Sequence, residues 1–275
     1  MSLDEDWNIS IESYALLKHL GGGGYGTVFL ARYFPDDSLR VVKVLHRLGY
    51  DPEKRFEREI RILQERSNLN TVEILDFGNT YAGHKYYAME YCPLGDIRKF
   101  IGVVNITFAL MVLDDIGRAL TPFHERGGFH RDIKPDNILM AESDGKLIFK
   151  LSDFGLAQDN NTSSVFTNNA AGTLGYLAPE IISGGYCTAA SDVYSLGITI
   201  RELLNGNLQN TSMTREKFGD LAMILARMLL QSPEKRFDLS RLHKLVAKRL
   251  YPTSNEQITF VAPIAVPKQR LAPEF

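Results

Sequence analysis

Cysteine is almost absent from this 275-residue chain, with Cys92 and Cys187 the only two. A disulfide framework is therefore excluded, and no cluster with metal-ligand spacing takes its place. A reducing, cytoplasmic setting is the expectation. An excess of one charge sign is also missing. Thirty-one Lys and Arg face 33 Asp and Glu, a net charge of −2 with a pI near 6.3. Bulk electrostatics thus gives no reason to expect nucleic acid or an anionic membrane as a partner. Long apolar runs are lacking too. The best windows, VVNITFALMVL and LAMILARMLL, fall short of the roughly 18 residues that suggest a spanning helix, and no secretory leader is apparent. Triplets such as Asn160-Asn161-Thr162 would accept glycans only in a secreted protein and read as chance. No internal repeat appears.

What is present suits a folded globular protein. A 44% hydrophobic, 10% aromatic composition over this length can bury a large core, as one bilobal unit or two domains. The stretch HLGGGGYGTVFLA, His19 to Ala31, concentrates glycine. Alone it supports either a phosphate cradle or a slack turn, because glycine serves any loop that needs positive φ. The β-prone runs YALLKHL and TVFLARYF flank it and predict strand, turn, strand. A dinucleotide fold would run from its glycines directly into a helix.

RVVKVLH predicts another strand. DPEKRFEREIRILQERSN opens as a helix, with Asp51 as cap and Pro52 at the first position. Phe56, Ile60 and Leu63 recur on one face of it, and Glu59 shares that face. Its alternating acids and bases read as a solvated opposite face. TVEILDFGNT and KYYAMEY predict two further strands. After CPLGD the pattern becomes helical, through ITFALMVLDDIGRALTPFHERG and AASDVYSLGITIRELLNG. A small β-rich lobe over 1–91 and a larger helical lobe over 92–250 are expected, an α+β organisation. Residues 251–275 carry several prolines without clear periodicity, as an extended tail or linker would.

Two further segments, FHRDIKPDNIL (Phe129 to Leu139) and LSDFGLA (Leu151 to Ala157), change the weight of the glycine loop. Together with Lys43, LAPE at Leu177 to Glu180 and SDVYSLGI at Ser191 to Ile198, they closely resemble the eukaryotic-type protein kinase signature set. Bacterial members are as close in style as eukaryotic ones. The resemblance runs from about Tyr14 to Leu250, and six ordered segments at suitable spacing are specific where any one is not. It implies a bilobal kinase fold that transfers the ATP γ-phosphate to protein Ser or Thr hydroxyls, with ATP and Mg²⁺, or alternatively Mn²⁺, as cofactors.

Phosphoryl transfer asks a protein mainly for positioning and charge neutralisation. On this resemblance Gly21, Gly22, Gly23, Gly24, Tyr25 and Gly26 cover the phosphates, and Lys43 holds them while Glu59 pairs with it. Asp132 is the catalytic base and Lys134 the γ-phosphate contact. Asn137 and Asp153 are the metal ligands, offering the hard oxygens that Mg²⁺ takes. Val28, Val41, Met89, Glu90, Cys92 and Leu139 surround adenine, with Met89 as gatekeeper and Glu90 and Cys92 contributing hinge backbone. His130, Phe154 and Leu63 read as internal packing, Thr173 as a bond to the catalytic loop, and Glu180 as the buried partner of Arg236.

The resemblance also implies autophosphorylation of an activation loop between Leu156 and Leu177. Thr162, Ser163, Ser164 and Thr167 are the candidates, and Arg131 is a phosphate-pairing cation. Three departures stand out. Val41 replaces a usual alanine above adenine. Gln158 replaces a usual Lys or Arg, leaving Arg55 as the second cation. The stretch between ITIRELLNG and SPEKRF is about one helix short, which makes substrate recognition unusual. The competing reading is a catalytically inert, nucleotide-binding scaffold. Retention of Lys43, Asp132, Asn137 and Asp153 argues against it.

Overall fold

A computed structural model of the chain describes residues 9–23, 26–45, 50–154, 158–159 and 172–251. Strands β1 (Tyr14–Gly23), β2 (Gly26–Tyr33), β3 (Leu39–Leu45), β4 (Ile74–Asn79) and β5 (Lys85–Glu90) form one antiparallel sheet in the order β1-β2-β3-β5-β4. Helix α1 (Tyr50–Arg66) lies between β3 and β4 in sequence. The strand-turn-strand reading of the glycine segment holds: β1 and β2 pair antiparallel across it. The glycines have a packing reason as well. A Cβ on Gly26 would stand 2.6 Å from the Val44 carbonyl oxygen of β3, and one on Gly22 would stand 2.9 Å from the Gly26 carbonyl oxygen. Helix α1 starts at Tyr50, one residue earlier than its expected cap, and the side chains of Asp51 and Pro52 lie outside the described residues.

The sheet buries both faces. Tyr14, Phe29, Val42, Val44 and Tyr86 fill one, while Leu45 and Tyr87 meet Phe56 and Ile60 of α1 on the other. Phe56, Glu59, Ile60 and Leu63 are all buried, as the helical period required.

The second part is mainly helical. It comprises α2 (Ile106–Glu125), the hairpin β7 (Ile138–Ser143) with β8 (Lys146–Leu151), and the short pair β6 (Gly128–Phe129) with β9 (Gln158–Asp159). Helices α3 (Pro179–Ile182), α4 (Ala189–Asn205), α5 (Arg215–Phe218), α6 (Leu221–Met228) and α7 (Leu239–Leu250) follow. Asn105 caps α2 by accepting from the Phe108 N–H at 2.9 Å. The core runs through Leu113, Ile116, Leu120 and Phe123 of α2, Leu196, Ile200 and Leu203 of α4, and Ile224 and Leu225 of α6. Between α4 and the turn at Pro233 stand only the single turn α5 and the eight-residue α6. This is the region expected to be one helix short. Among the described residues no helix is long and apolar enough to cross a membrane.

The two parts join through Glu90 to Gly95. The Gly95 N–H donates to the Cys92 carbonyl at 3.0 Å, and the Met140 N–H donates to the Gly95 carbonyl at 2.8 Å. Gly95 has φ +69°, a conformation that glycine adopts at no steric cost.

Candidate active site

Three segments remote in sequence converge at Lys43. The β2–β3–β5 register sets Lys43 between Val28 and Tyr87. Its ammonium donates to both Glu59 carboxylate oxygens, at 2.9 and 3.1 Å, and to Asp153 Oδ1 at 2.9 Å. The Tyr87 hydroxyl donates to Glu59 Oε1 at 2.7 Å, a partner that no sequence pattern indicated.

Burial pushes Glu59 upward, and this outweighs the opposing attraction of Lys43. Lys43 goes well above its usual value. Burial works against that rise, but Glu59, Tyr87 and Asp153 overcome it. Asp153 is also opposed by burial, yet the charge and hydrogen bond of Lys43 hold its carboxyl below the ordinary range. At neutral pH a cation therefore sits beside a half-exposed carboxylate.

The second cluster surrounds Asp132, which is itself buried. Asp132 Oδ1 accepts from the Thr173 N–H and from the Thr173 hydroxyl, each at 2.9 Å. Oδ2 accepts from Lys134 Nζ at 2.7 Å and from Asn137 Nδ2 at 3.1 Å. Lys134 Nζ also donates to Thr173 Oγ1 at 2.7 Å. Both oxygens already hold two donors, so an incoming hydroxyl must displace one of them. Thr173 Oγ1 is thus shared between Asp132 and Lys134.

The loop carrying Asp132 is held from below. Asp192 of α4 accepts from the His130 N–H at 2.8 Å, the Arg131 N–H at 2.9 Å and His124 Nε2 at 2.9 Å. Arg131 has φ +75° and Asp153 φ +58°, costs that a rigid surround must meet. The Asp132 N–H donates to His130 Nδ1 at 3.3 Å, which leaves the ring proton on Nε2 to donate to the Ser152 carbonyl at 3.0 Å. His130 packs edge-on against Phe154, with centroids 4.6 Å apart, and Phe123 stacks on the same ring at 4.7 Å. Leu63 belongs to the same core. The packing expected of His130, Phe154 and Leu63 is thus seen, with Phe123 added.

Asn137 and Asp153 come together through backbone: the Ser152 N–H donates to the Asn137 carbonyl at 2.9 Å. Asn137 Nδ2 is engaged by the Asp132 carbonyl and carboxylate, so the amide oxygen is the atom left to bind a cation. Among the described residues no group of three or more His, Cys, Asp or Glu could hold a metal. Two hard oxygen donors fit a cation that arrives with phosphates, as Mg²⁺ does.

At the other end, Val41 is buried and pairs with Met89 across β3 and β5. Glu90 Oε1 accepts from Lys150 Nζ at 2.6 Å and from the Glu73 N–H at 2.8 Å, while the Glu90 N–H donates to the Glu73 carbonyl at 3.0 Å. Burial and the Glu90 charge push the Cys92 thiol up to about 12. Val28 on β2 and Leu139 on β7 are both half-buried, one from each lobe. Gly24, Tyr25, Thr162, Ser163, Ser164 and Thr167, and the side chains of Arg55 and Gln158, lie outside the described residues.

A protein kinase domain model matches residues 14–270 of this chain. The chain belongs to the protein kinase family. The match runs past Leu250, into the segment expected to be a tail. The serine/threonine-protein kinase PrkC of Bacillus subtilis is 35% identical over 203 residues, covering 71% of this chain and 31% of that protein. The alpha subunit of the inhibitor of nuclear factor kappa-B kinase of Danio rerio is 33% identical over 206 residues, 70% of this chain and 27% of the relative. The serine/threonine-protein kinase TOS3 of Saccharomyces cerevisiae is 29% identical over 293 residues, 84% and 52%. The kinase domain here spans about half or less of the length of the curated relatives it matches. The family uses ATP and a divalent metal.

Sequence reasoning missed Asp192, Tyr87 and Lys150. Asp192 lay inside SDVYSLGI, but its task shows only when α4 meets the loop that carries Asp132. Tyr87 carried no signal beyond its place on β5.

Proposed function

We propose that this kinase domain transfers the γ-phosphate of ATP to serine or threonine hydroxyls of proteins. The observation that carries the reading is the shared contact of Asp132, Lys134 and Thr173. A substrate hydroxyl entering beside that of Thr173 would meet a carboxylate to receive its proton and an ammonium to steady the incoming phosphate oxygens. Lys43, oriented by Glu59, holds the other phosphates, and the glycine segment covers them. Asn137 and Asp153 would hold the divalent cation, which neutralises charge on the phosphates. Adenine rests between Val28 and Val41 on one side and Leu139 on the other, bonded by the Glu90 and Cys92 backbone, with Met89 behind.

Autophosphorylation within 156–177 belongs to the same reading. Arg131, whose backbone N–H donates to Asp192, is the cation that would answer a phosphate on Thr162, Ser163, Ser164 or Thr167. A reducing, cytoplasmic location suits the two free thiols.

The test is transfer of labelled γ-phosphate from MgATP to the protein and to a generic basic acceptor, beside Asp132→Asn. Label on Ser and Thr that falls by about 10²–10⁴-fold in the variant supports the reading. MgATP binding without any transfer, with Glu59 docked as here, returns the protein to the scaffold class.

A further inference from the structure

The net charge of −2 conceals a strongly asymmetric segment. Residues 221–251 hold seven Lys and Arg against two Asp and Glu. Of the seven, Arg236 is consumed by Glu180, Arg249 pairs with Asp220 at 3.5 Å, and Lys235 lies in the turn at Pro233, before α7. Arg227, Arg241, Lys244 and Lys248 are all exposed, and none has a carboxylate partner among the described residues. Of the two acids, Asp238 is spent capping α7, accepting the Arg241 N–H at 2.7 Å, and Glu234 sits in the turn before it.

Four unpartnered cations share one surface. Arg241, Lys244 and Lys248 recur at three- and four-residue spacing along α7, which sets them in one stripe. Phe237 carries the stripe onto α6. The Arg241 guanidinium lies 4.9 Å from its ring centroid, and the Arg227 guanidinium lies 5.9 Å from it. Two like charges on one ring repel each other, a cost that an anion between them would remove. Uncharged side chains project beside them. Met223, 66% exposed, lies one turn before Arg227 on α6, and Tyr251, 68% exposed, ends the α7 stripe three residues after Lys248. Cations flanked by a protruding thioether and an aromatic ring match a headgroup layer, with phosphates outside and acyl carbons just beneath.

We infer that the α6–α7 face of this domain docks on an anionic lipid surface, with Arg227, Arg241, Lys244 and Lys248 on the headgroups and Met223 and Tyr251 entering the interface. This inference stands apart from the phosphotransfer reading, since none of these residues touches the ATP-side machinery.

Sedimentation of the full chain with vesicles tests it. The membranes are phosphatidylcholine alone or with about 30% phosphatidylserine, at about 0.05 M and 0.5 M salt. Binding to the serine-lipid vesicles only, and only at the lower salt, is expected. Each cation near such a surface contributes about a fivefold factor, so Lys244→Gln/Lys248→Gln lowers vesicle binding about 30-fold. Met223→Gln weakens vesicle binding but not binding to soluble polyglutamate. Thermal unfolding and peptide phosphorylation remain as in the parent chain. Equal sedimentation of the double variant, or no sedimentation of the parent, overturns the inference. Polyglutamate bound as tightly as vesicles, with Met223→Gln silent in both, assigns the face to an acidic protein instead.

Discussion

Two buried ion pairs use the same chemistry for opposite ends. Lys43–Glu59 crosses from sheet to helix at the cleft. Arg236–Glu180 ties the start of α3 to the turn before α7, through two bonds of 2.7 and 2.8 Å. Arg236 has further acceptors in the carbonyls of Leu230, Gln231 and Ala190, and its side chain is fully enclosed. Glu180 gains Ser191 Oγ as well, at 2.8 Å. That pair is saturated by fixed protein groups and has no role left but architecture. Lys43, by contrast, keeps a contact with the half-exposed Asp153, so a ligand can compete for its protons. A buried charge becomes available for chemistry when one of its partners faces solvent.

The sharpest break between the pairs is stability. Arg236→Ala strands the Glu180 carboxylate, and a loss of about 3–5 kcal/mol is expected in denaturant unfolding. A loss below about 1 kcal/mol would sink the architectural assignment. Lys43→Met acts on the other axis. Phosphotransfer drops by about 10²–10³-fold, while unfolding changes far less, because the Glu59 carboxyl can take a proton and keep its Tyr87 bond. Comparable stability losses in the two variants would erase the contrast.

The pairs also differ in the sign of their pH dependence. Glu180 is opposed by burial but held low by Arg236, its own backbone and Ser191. A depressed carboxyl contributes stability above its unfolded value of 4.5 that is lost as pH falls through its folded value. Glu59 is raised, so its contribution is complete below 4.5 and declines as pH rises through its folded value. Unfolding measured from pH 3 to 8 (roughly the span over which carboxylates titrate) therefore separates the variants. Glu180→Gln falls further behind the parent as pH rises, and Glu59→Gln gains on it. Parallel curves would contradict the assignment.

Smaller effects sharpen the cleft itself. Thr173→Ala leaves Asp132 Oδ1 without its hydroxyl donor. A loss of about tenfold or more in turnover is expected, restored by Thr173→Ser, since a hydrogen bond to a charged group contributes about 1.5–3 kcal/mol. Val41→Ala is the mildest. If Val41 roofs the proposed adenine site, removing its two methyls shifts ATP affinity by under about tenfold and widens tolerance for base-modified nucleotides. Affinity and tolerance both unchanged would remove Val41 from the adenine roof.

Much of this was legible in residue order. β-prone runs marked all five strands of the sheet, and the face shared by Phe56, Glu59 and Ile60 marked α1 with the carboxylate that reaches Lys43. The resemblance of the segments to the protein kinase signature brought Asp132, Lys134, Asn137 and Asp153 into one account. The glycine segment was read only in part. Gly22 and Gly26 also answer to backbone oxygens of neighbouring strands, a requirement that no one-dimensional pattern expresses. Asp192, Tyr87 and Lys150 stayed silent because each acts on a residue at least 28 positions away.

The sequence by itself determined the chemistry: which carboxylates, cations and glycines exist, and in what order along the chain. Local spacing carries that information, since helix and strand periods are short-range. Tertiary structure alone decided which charges are neutralised and which remain free. Both Arg236 and Arg241 are cations near the last helix, but one meets Glu180 from 56 residues away and the other, among the described residues, lies over the Phe237 ring without a carboxylate. Coulomb interactions depend on distance in space, so the net charge of the chain could reveal neither the enclosed pair nor the open stripe.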